Sequence, residues 1–200
     1  MWIYEKISKI IPRGRFKEKI RSVFYKLIYS FNFGTKKVIL KDEICGKFLR
    51  FPLIEEPEDK TEIEGYMKYY TLKNGDFVID AGAFHGYFAV YAAKIVGESG
   101  KVICFEPDKN SFRILSKNIR LNKLKNVILI NKGLWNKNIN ISFKSCGESS
   151  AICLYNKSSE KIEVVKLDDG LKKLNIKKVD FIKMDIEGAE IEALLGSKKH

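Results

Sequence analysis

Two hundred residues, 45% of them hydrophobic, are enough for one core of ordinary size plus appendages. No run of about 18 apolar residues is present and no apolar signal core follows the first basic residues, so neither a membrane-spanning helix nor a secretory signal is expected. The four cysteines, Cys45, Cys104, Cys146 and Cys153, have neither C-x-x-C spacing nor a partner histidine pattern; they read as reduced thiols of a cytoplasmic protein rather than a disulfide frame or a zinc site.

The formal charge of +12 is concentrated at the start of the chain. Residues 1–41 hold eleven lysines and arginines against Glu5 and Glu18, a balance of +9. In the same segment Phe16, Ile20, Val23, Phe24, Leu27, Ile28 and Phe31 recur at spacings of three and four, the pattern of one apolar helical face. Such a basic amphipathic leader either docks on its own domain with its charges solvated, the favoured reading, or lies through residues 1–31 on an anionic membrane surface, which would make the protein peripheral there. No RNA-binding motif or aromatic platform accompanies it, so nucleic acid is not an expected partner. Residues 37–40 and 47–51 are then placed to pair as a hairpin around 42–46. Thr61-Glu62-Ile63-Glu64 is a capping-box pattern that predicts a helix reaching about Thr71, on a course open to passing beside a ligand site, with Tyr66, Tyr69 and Tyr70 read as packing residues rather than ligands, before Asn74-Gly75 turns the chain. Residues 42–75 thus precede a core over 76–200.

The run Val78-Ile79-Asp80-Ala81-Gly82-Ala83-Phe84-His85-Gly86-Tyr87 joins a buried strand to a helix through a glycine loop led by a carboxylate. Glycines let backbone approach a ligand, and the N–H groups of the helix start face it. A dinucleotide loop reads G-x-G-x-x-G around a diphosphate, whereas this one reads D-x-G-x-x-x-G. Asp80 would repel a diphosphate and attract a cation, and S-adenosylmethionine carries an ammonium and a sulfonium. An ordinary strand-to-helix turn is the competing reading of the glycines, and His85 reads as a helix-start residue rather than a base. After a helix over 86–96, a strand over 101–106 ends in Glu106, placed to accept both ribose hydroxyls of an adenosine; a helix-capping or solvent carboxylate is the alternative. A helix over 110–122 leads to a strand over 127–131. Residues 139–143 and 151–155 form a small antiparallel hairpin turned at Cys146-Gly147-Glu148, followed by a strand over 162–165. A last strand over 179–186 runs into Asp185, Glu187 and Gly188 and a helix over 191–197. This alternation implies parallel strands with right-handed crossovers. Asp185 has no second metal ligand at a recognisable spacing, so no metal is expected, and Glu187 and Glu190 also fit the first turn of a helix.

Together, Asp80-Ala-Gly82-Ala, Phe105-Glu106-Pro107, Leu167-Asp168-Asp169 and Lys183-Met184-Asp185-Ile186-Glu187-Gly188-Ala189-Glu190 resemble the FkbM-type family of S-adenosylmethionine-dependent methyltransferases, in order and spacing from about Asp76 to Gly196. The resemblance implies an α/β fold with a Rossmann-like methyltransferase sheet, here its first half in strand order 3-2-1-4, with an inserted β-hairpin and an N-terminal basic helix. It implies S-adenosyl-L-methionine as cofactor, bound by Asp80, Gly82, Ala83, Gly86, Glu106, Pro107, Gly133 and Leu134. Gly133 and Leu134 would lie near the adenine; a turn with Leu134 and Trp135 in the core is the alternative. The implied reaction is O-methylation of a hydroxyl on a sugar, glycan or secondary metabolite, with Asp185 and Glu187 as the candidate catalytic acids, acting as base or as orienting group. A full sheet of this family has seven strands in the order 3-2-1-4-5-7-6. Here the fourth would be an edge open to self-association, and the alternative function is a catalytically weak or inactive protein that binds the cofactor or a partner through the same half-fold.

Overall fold

The computed structural model describes residues 34–41, 44–49, 59–144, 151–152 and 160–199. The apolar leader face over 16–31, the turn at 42–43 and the turn around Cys146-Gly147-Glu148 lie outside the described residues. The first hairpin forms with both strands starting two residues earlier than expected: β1 (Thr35–Ile39) pairs antiparallel with β2 (Cys45–Leu49), Thr35 opposite Leu49 and Ile39 opposite Cys45. The next helix, α1 (Asp59–Tyr66), differs from expectation at both ends. Thr61 lies inside it rather than at its cap, and it stops well short of Thr71. Gly65 weakens the last turn, the Met67 amide closes it on the Ile63 carbonyl at 3.0 Å, and Gly75 at φ 91° makes the turn into the core.

Strand and helix then alternate through β3 (Phe77–Ala81), α2 (Tyr87–Val96), β4 (Lys101–Phe105), α3 (Lys109–Leu121) and β5 (Val127–Ile130). The chain continues through β6 (Gly133–Leu134), β7 (Ile139–Lys144), β8 (Ala151–Ile152), β9 (Glu160–Val165), α4 (Leu167–Lys173), β10 (Phe181–Met184) and α5 (Glu190–Leu195). The central sheet has the order β10-β3-β4-β5, all neighbours parallel. Counted along the parallel strands alone this is 3-2-1-4, the expected order.

β3 and β4 are apolar on both faces because both faces are covered. Val78, Val102 and Cys104 pack with α2, with Leu115 and Ile119 of α3, and with Leu40, Phe48 and Ile63. Ile79, Ala81, Ile103 and Phe105 pack with Leu134, Leu167, Leu171 and Ala193 on the other side. Each fully buried aliphatic side chain here contributes about 2 kcal/mol of transfer free energy. α2 is apolar nearly all round, with Phe88, Ala89, Val90, Tyr91, Ala92, Ala93 and Val96 buried, because the hairpin and α1 cover the face that the sheet does not. Phe48 of β2 stacks on Tyr87 at 4.2 Å between centroids.

The inserted hairpin is larger than expected. β7 pairs antiparallel with β8 only at Phe143–Ile152 and Lys144–Ala151, and along most of its length with β9, Ile139 opposite Val164. β6 adds to β9 in parallel, which completes a second sheet in the order β6-β9-β7-β8. Ile141, Ile162 and Val164 form its small core, against which Trp135 packs. Among the described residues no helix is long and apolar enough to cross a membrane.

Candidate active site

The glycine loop closes on itself before it meets anything else. Gly82 and Ala83 donate their amides to the Phe105 carbonyl at 2.9 and 3.1 Å, and Gly86 donates to the Ala83 carbonyl at 2.8 Å. Gly82 is held at φ 75°, and a Cβ there would lie 1.9 Å from the Asp185 carbonyl oxygen. Its glycine therefore answers the close approach of the segment after β10. Gly86 sits at φ 87°, where a Cβ would meet Leu115 Cδ1 at 2.5 Å, and it caps α2. Four amides of the loop itself, those of Gly82, Ala83, Phe84 and Gly86, are spent within the protein, ahead of the α2 helix start at Tyr87. His85 is buried and stacked on Phe84 at 3.7 Å; burial pushes its pKa down to about 3, so it is neutral.

Asp80 lies at the register position opposite Lys183 of β10 and is fully enclosed. The Lys183 ammonium approaches Asp80 Oδ1 to 3.3 Å, an ion pair, and directs its hydrogen bond to the Gly82 carbonyl at 2.7 Å. Neither Asp80 oxygen has a hydrogen-bond partner. Burial raises the Asp80 pKa and Lys183 opposes the rise. The charge expected to face a cationic ligand has Lys183 as its neighbour within the protein.

Glu106 follows β4 and is buried. Its Oε2 accepts from the Phe84 amide and its Oε1 from the Asp108 amide, each at 2.8 Å. It therefore ties the glycine loop to the start of α3, where Asp108 is the N-cap and accepts from the Ser111 amide at 2.8 Å. Desolvation raises its pKa to about 7 against these two bonds. The capping role and the ligand role are not exclusive, because each oxygen keeps a second lone pair. Asn131 braces the turn from behind, donating to the Glu106 carbonyl at 2.7 Å and to that of Pro107 at 3.3 Å.

Asp185, just beyond β10, is exposed, and its Oδ2 accepts from the Tyr66 hydroxyl at 2.8 Å. Lys183 Nζ lies 5.3 Å from the centre of the Tyr66 ring. Asp80, Lys183, Tyr66 and Asp185 thus form one constellation at the carboxyl ends of β3 and β10. The sequence reading missed Tyr66 as a member and took it for packing. Tyr70 does pack, stacking on Phe181 at 5.4 Å with its hydroxyl donating to Asp76 at 3.1 Å, and Tyr69 is 87% exposed.

Glu187 lies in the loop before α5 with φ 53°, followed by Gly188 at φ 91°. It is therefore not a first-turn helix acid. Glu190 is one: it opens α5, and its Oε1 accepts from the Ile186 and Gly188 amides at 3.1 and 3.3 Å. Gly133 and Leu134 form β6 rather than a turn; Leu134 packs with the core on one face of the central sheet, while Trp135 packs against the small core of the second sheet. Gly133 sits close by Pro107, its Cβ position 3.6 Å from Pro107 Cβ.

The family model for the methyltransferase FkbM domain matches residues 80–200, more than half of the chain. A probable cobalt-precorrin-6B C(15)-methyltransferase (decarboxylating) of Sulfurisphaera tokodaii is 32% identical over 84 residues, covering 42% of this chain and 43% of the relative. Methyltransferase 1 of Beauveria bassiana is 26% identical over 144 residues, covering 60% and 57%. The chain thus spans about half the length of these curated relatives. Among solved structures, the methyltransferase FkbM of Methylobacillus flagellatus KT is similar at 21% identity and a TM-score of 0.48, over 70% of this chain and 37% of that one. With its family model matched from Asp80 through the acids after β10, the chain belongs to the FkbM methyltransferase domain family.

Proposed function

We propose that the protein is an S-adenosylmethionine-dependent methyltransferase acting on a hydroxyl oxygen of a sugar, glycan or secondary metabolite. The observation that carries the reading is Glu106: a buried carboxylate at the carboxyl end of β4, fixed against the glycine loop through the Phe84 amide, in a chain of this family. The residues fit the adenosine end of the cofactor, since the second lone pairs of Glu106 suit a ribose diol. A diphosphate fits poorly, because four loop amides are already spent. When bound, that cofactor supplies an activated methyl group on a sulfonium. Little covalent work then falls to the protein, and holding donor and acceptor in line provides most of the acceleration. Asp185, with Oδ2 occupied by Tyr66, keeps Oδ1 for the proton of an acceptor hydroxyl, and Glu187 in the same loop orients the acceptor.

Calorimetric titration with S-adenosylmethionine, its demethylated product and a nicotinamide dinucleotide tests the cofactor. The first two should bind and the third should not; binding of the dinucleotide alone would overturn the reading. Methyl transfer is then measured over a panel of hydroxyl acceptors. Asp185→Asn should lower turnover roughly 10²–10⁴-fold if Asp185 is the base and leave cofactor affinity nearly unchanged.

A further inference from the structure

Three neighbours fix the Tyr66 phenol. Its ring meets Phe88 edge-on, 5.7 Å between centroids at 78°. The Lys183 ammonium stands 5.3 Å from the ring centre, and the hydroxyl donates to Asp185 Oδ2 at 2.8 Å. The helix that carries it is anchored, since Ile63 within it and Met67 just beyond its end are buried in the core that also contains α2. Asp185 by contrast is exposed, and an exposed carboxylate without such a bond turns freely between rotamers. We infer that Tyr66 is a positioning residue that holds Asp185 for the reaction, and that α1, although it precedes the family-matched residues 80–200, is part of the site. The inference rests on the methyltransferase reading of Asp185. Burial and the nearby acids Asp185, Glu62 and Asp80 hold the Tyr66 pKa well above the usual tyrosine range, so the phenol keeps its proton and remains a donor. The Lys183 charge, shared between Asp80 and the ring face, keeps the phenol seated over the β10 end.

The test uses the full chain with tyrosines labelled at 13Cζ, Tyr66→Phe assigning the Tyr66 signal by its absence. At about pH 10, where an ordinary tyrosine is half ionised, Tyr66 should remain protonated in the wild type and ionise at lower pH in Asp185→Asn. Saturation with S-adenosylmethionine should move the Tyr66 signal in the wild type, and the movement should shrink at least threefold in Asp185→Asn. A Tyr66 titration indifferent to Asp185→Asn would overturn the inference. So would a Tyr66 signal that ignores a cofactor shown by calorimetry to bind. If the wild type binds no cofactor, the methyltransferase reading fails and the positioning role falls with it, while the titration still reports the Tyr66–Asp185 bond by itself.

Discussion

Glu106 carries a proton balance that stability measurements can read. Its ordinary pKa of 4.5 rises to about 7 on folding because burial disfavours its charge, so the folded chain holds a proton that the unfolded chain has released between those values. The stability it lends is complete below about pH 4.5 and is lost as pH rises through about 7, on the order of 3 kcal/mol over that span. Asp80, raised in the same direction, steepens the fall. Urea unfolding at several pH values should show this decline, and Glu106→Gln should flatten most of it. Ribose hydroxyls bond best to the ionised carboxylate, so cofactor affinity should tighten from about pH 6 to about pH 8 with release of a proton. Calorimetry in two buffers of different ionisation heat measures that release directly, and an affinity flat across this range would remove Glu106 from the ribose site.

One amide joins three elements. Asn118 of α3 is buried; its Oδ1 accepts from the Leu49 amide of β2 at 2.9 Å and its Nδ2 donates to the His85 carbonyl in the glycine loop at 2.8 Å. Asn122, one turn on, brackets Lys47 of β2 in the same way, accepting from its amide at 2.8 Å and donating to its carbonyl at 2.7 Å. Asn118→Ala removes the side-chain bonds to the Leu49 amide and the His85 carbonyl and should cost about 2–4 kcal/mol. Thermal unfolding checks the cost, and faster hydrogen exchange at Leu49 would locate it. The elements themselves were legible where the signal is local: the apolar runs of β3 and β4, their glycine loop, and the acids that close them. α2 and α3 fall within a residue of expectation, α3 because its apolar positions repeat every turn and α2 because Gly86 and Gly97 bound its apolar run. What joins elements was not legible. The partner of Tyr66 is 119 residues away, and nothing in its spacing separates it from Tyr69 and Tyr70. Lys183 reads as one polar residue in an apolar strand until parallel pairing sets it opposite Asp80. The extent of the second sheet was hidden for the same reason, since β6 and β9 meet only through long-range pairing.

At the scale of the molecule, the central sheet has an open side among the described residues. Among the described residues β10 pairs with β3 alone, and α5, which follows it, exposes Ile191, Leu194 and Leu195 at 74, 57 and 50%. An unpaired strand edge beside exposed apolar side chains favours pairing between copies. A preparation of these 200 residues should therefore self-associate with rising concentration by light scattering, and Ile191→Lys with Leu194→Glu should shift it toward monomer. A monomer at every concentration would mean that water or the leader segment satisfies this edge, and the self-association reading would fall.

The Asp80–Lys183 pair also bears on how such a sequence changes over generations. Lys183→Met alone strands a carboxylate in the core and should cost about 3–5 kcal/mol, whereas Lys183→Met with Asp80→Asn should recover much of that loss, as melting temperatures of the single and double variants would show. Losing Lys183 first passes through a destabilised intermediate with an unpaired buried carboxylate. In a set of relatives the two positions should therefore change together more often than singly, which an alignment would check.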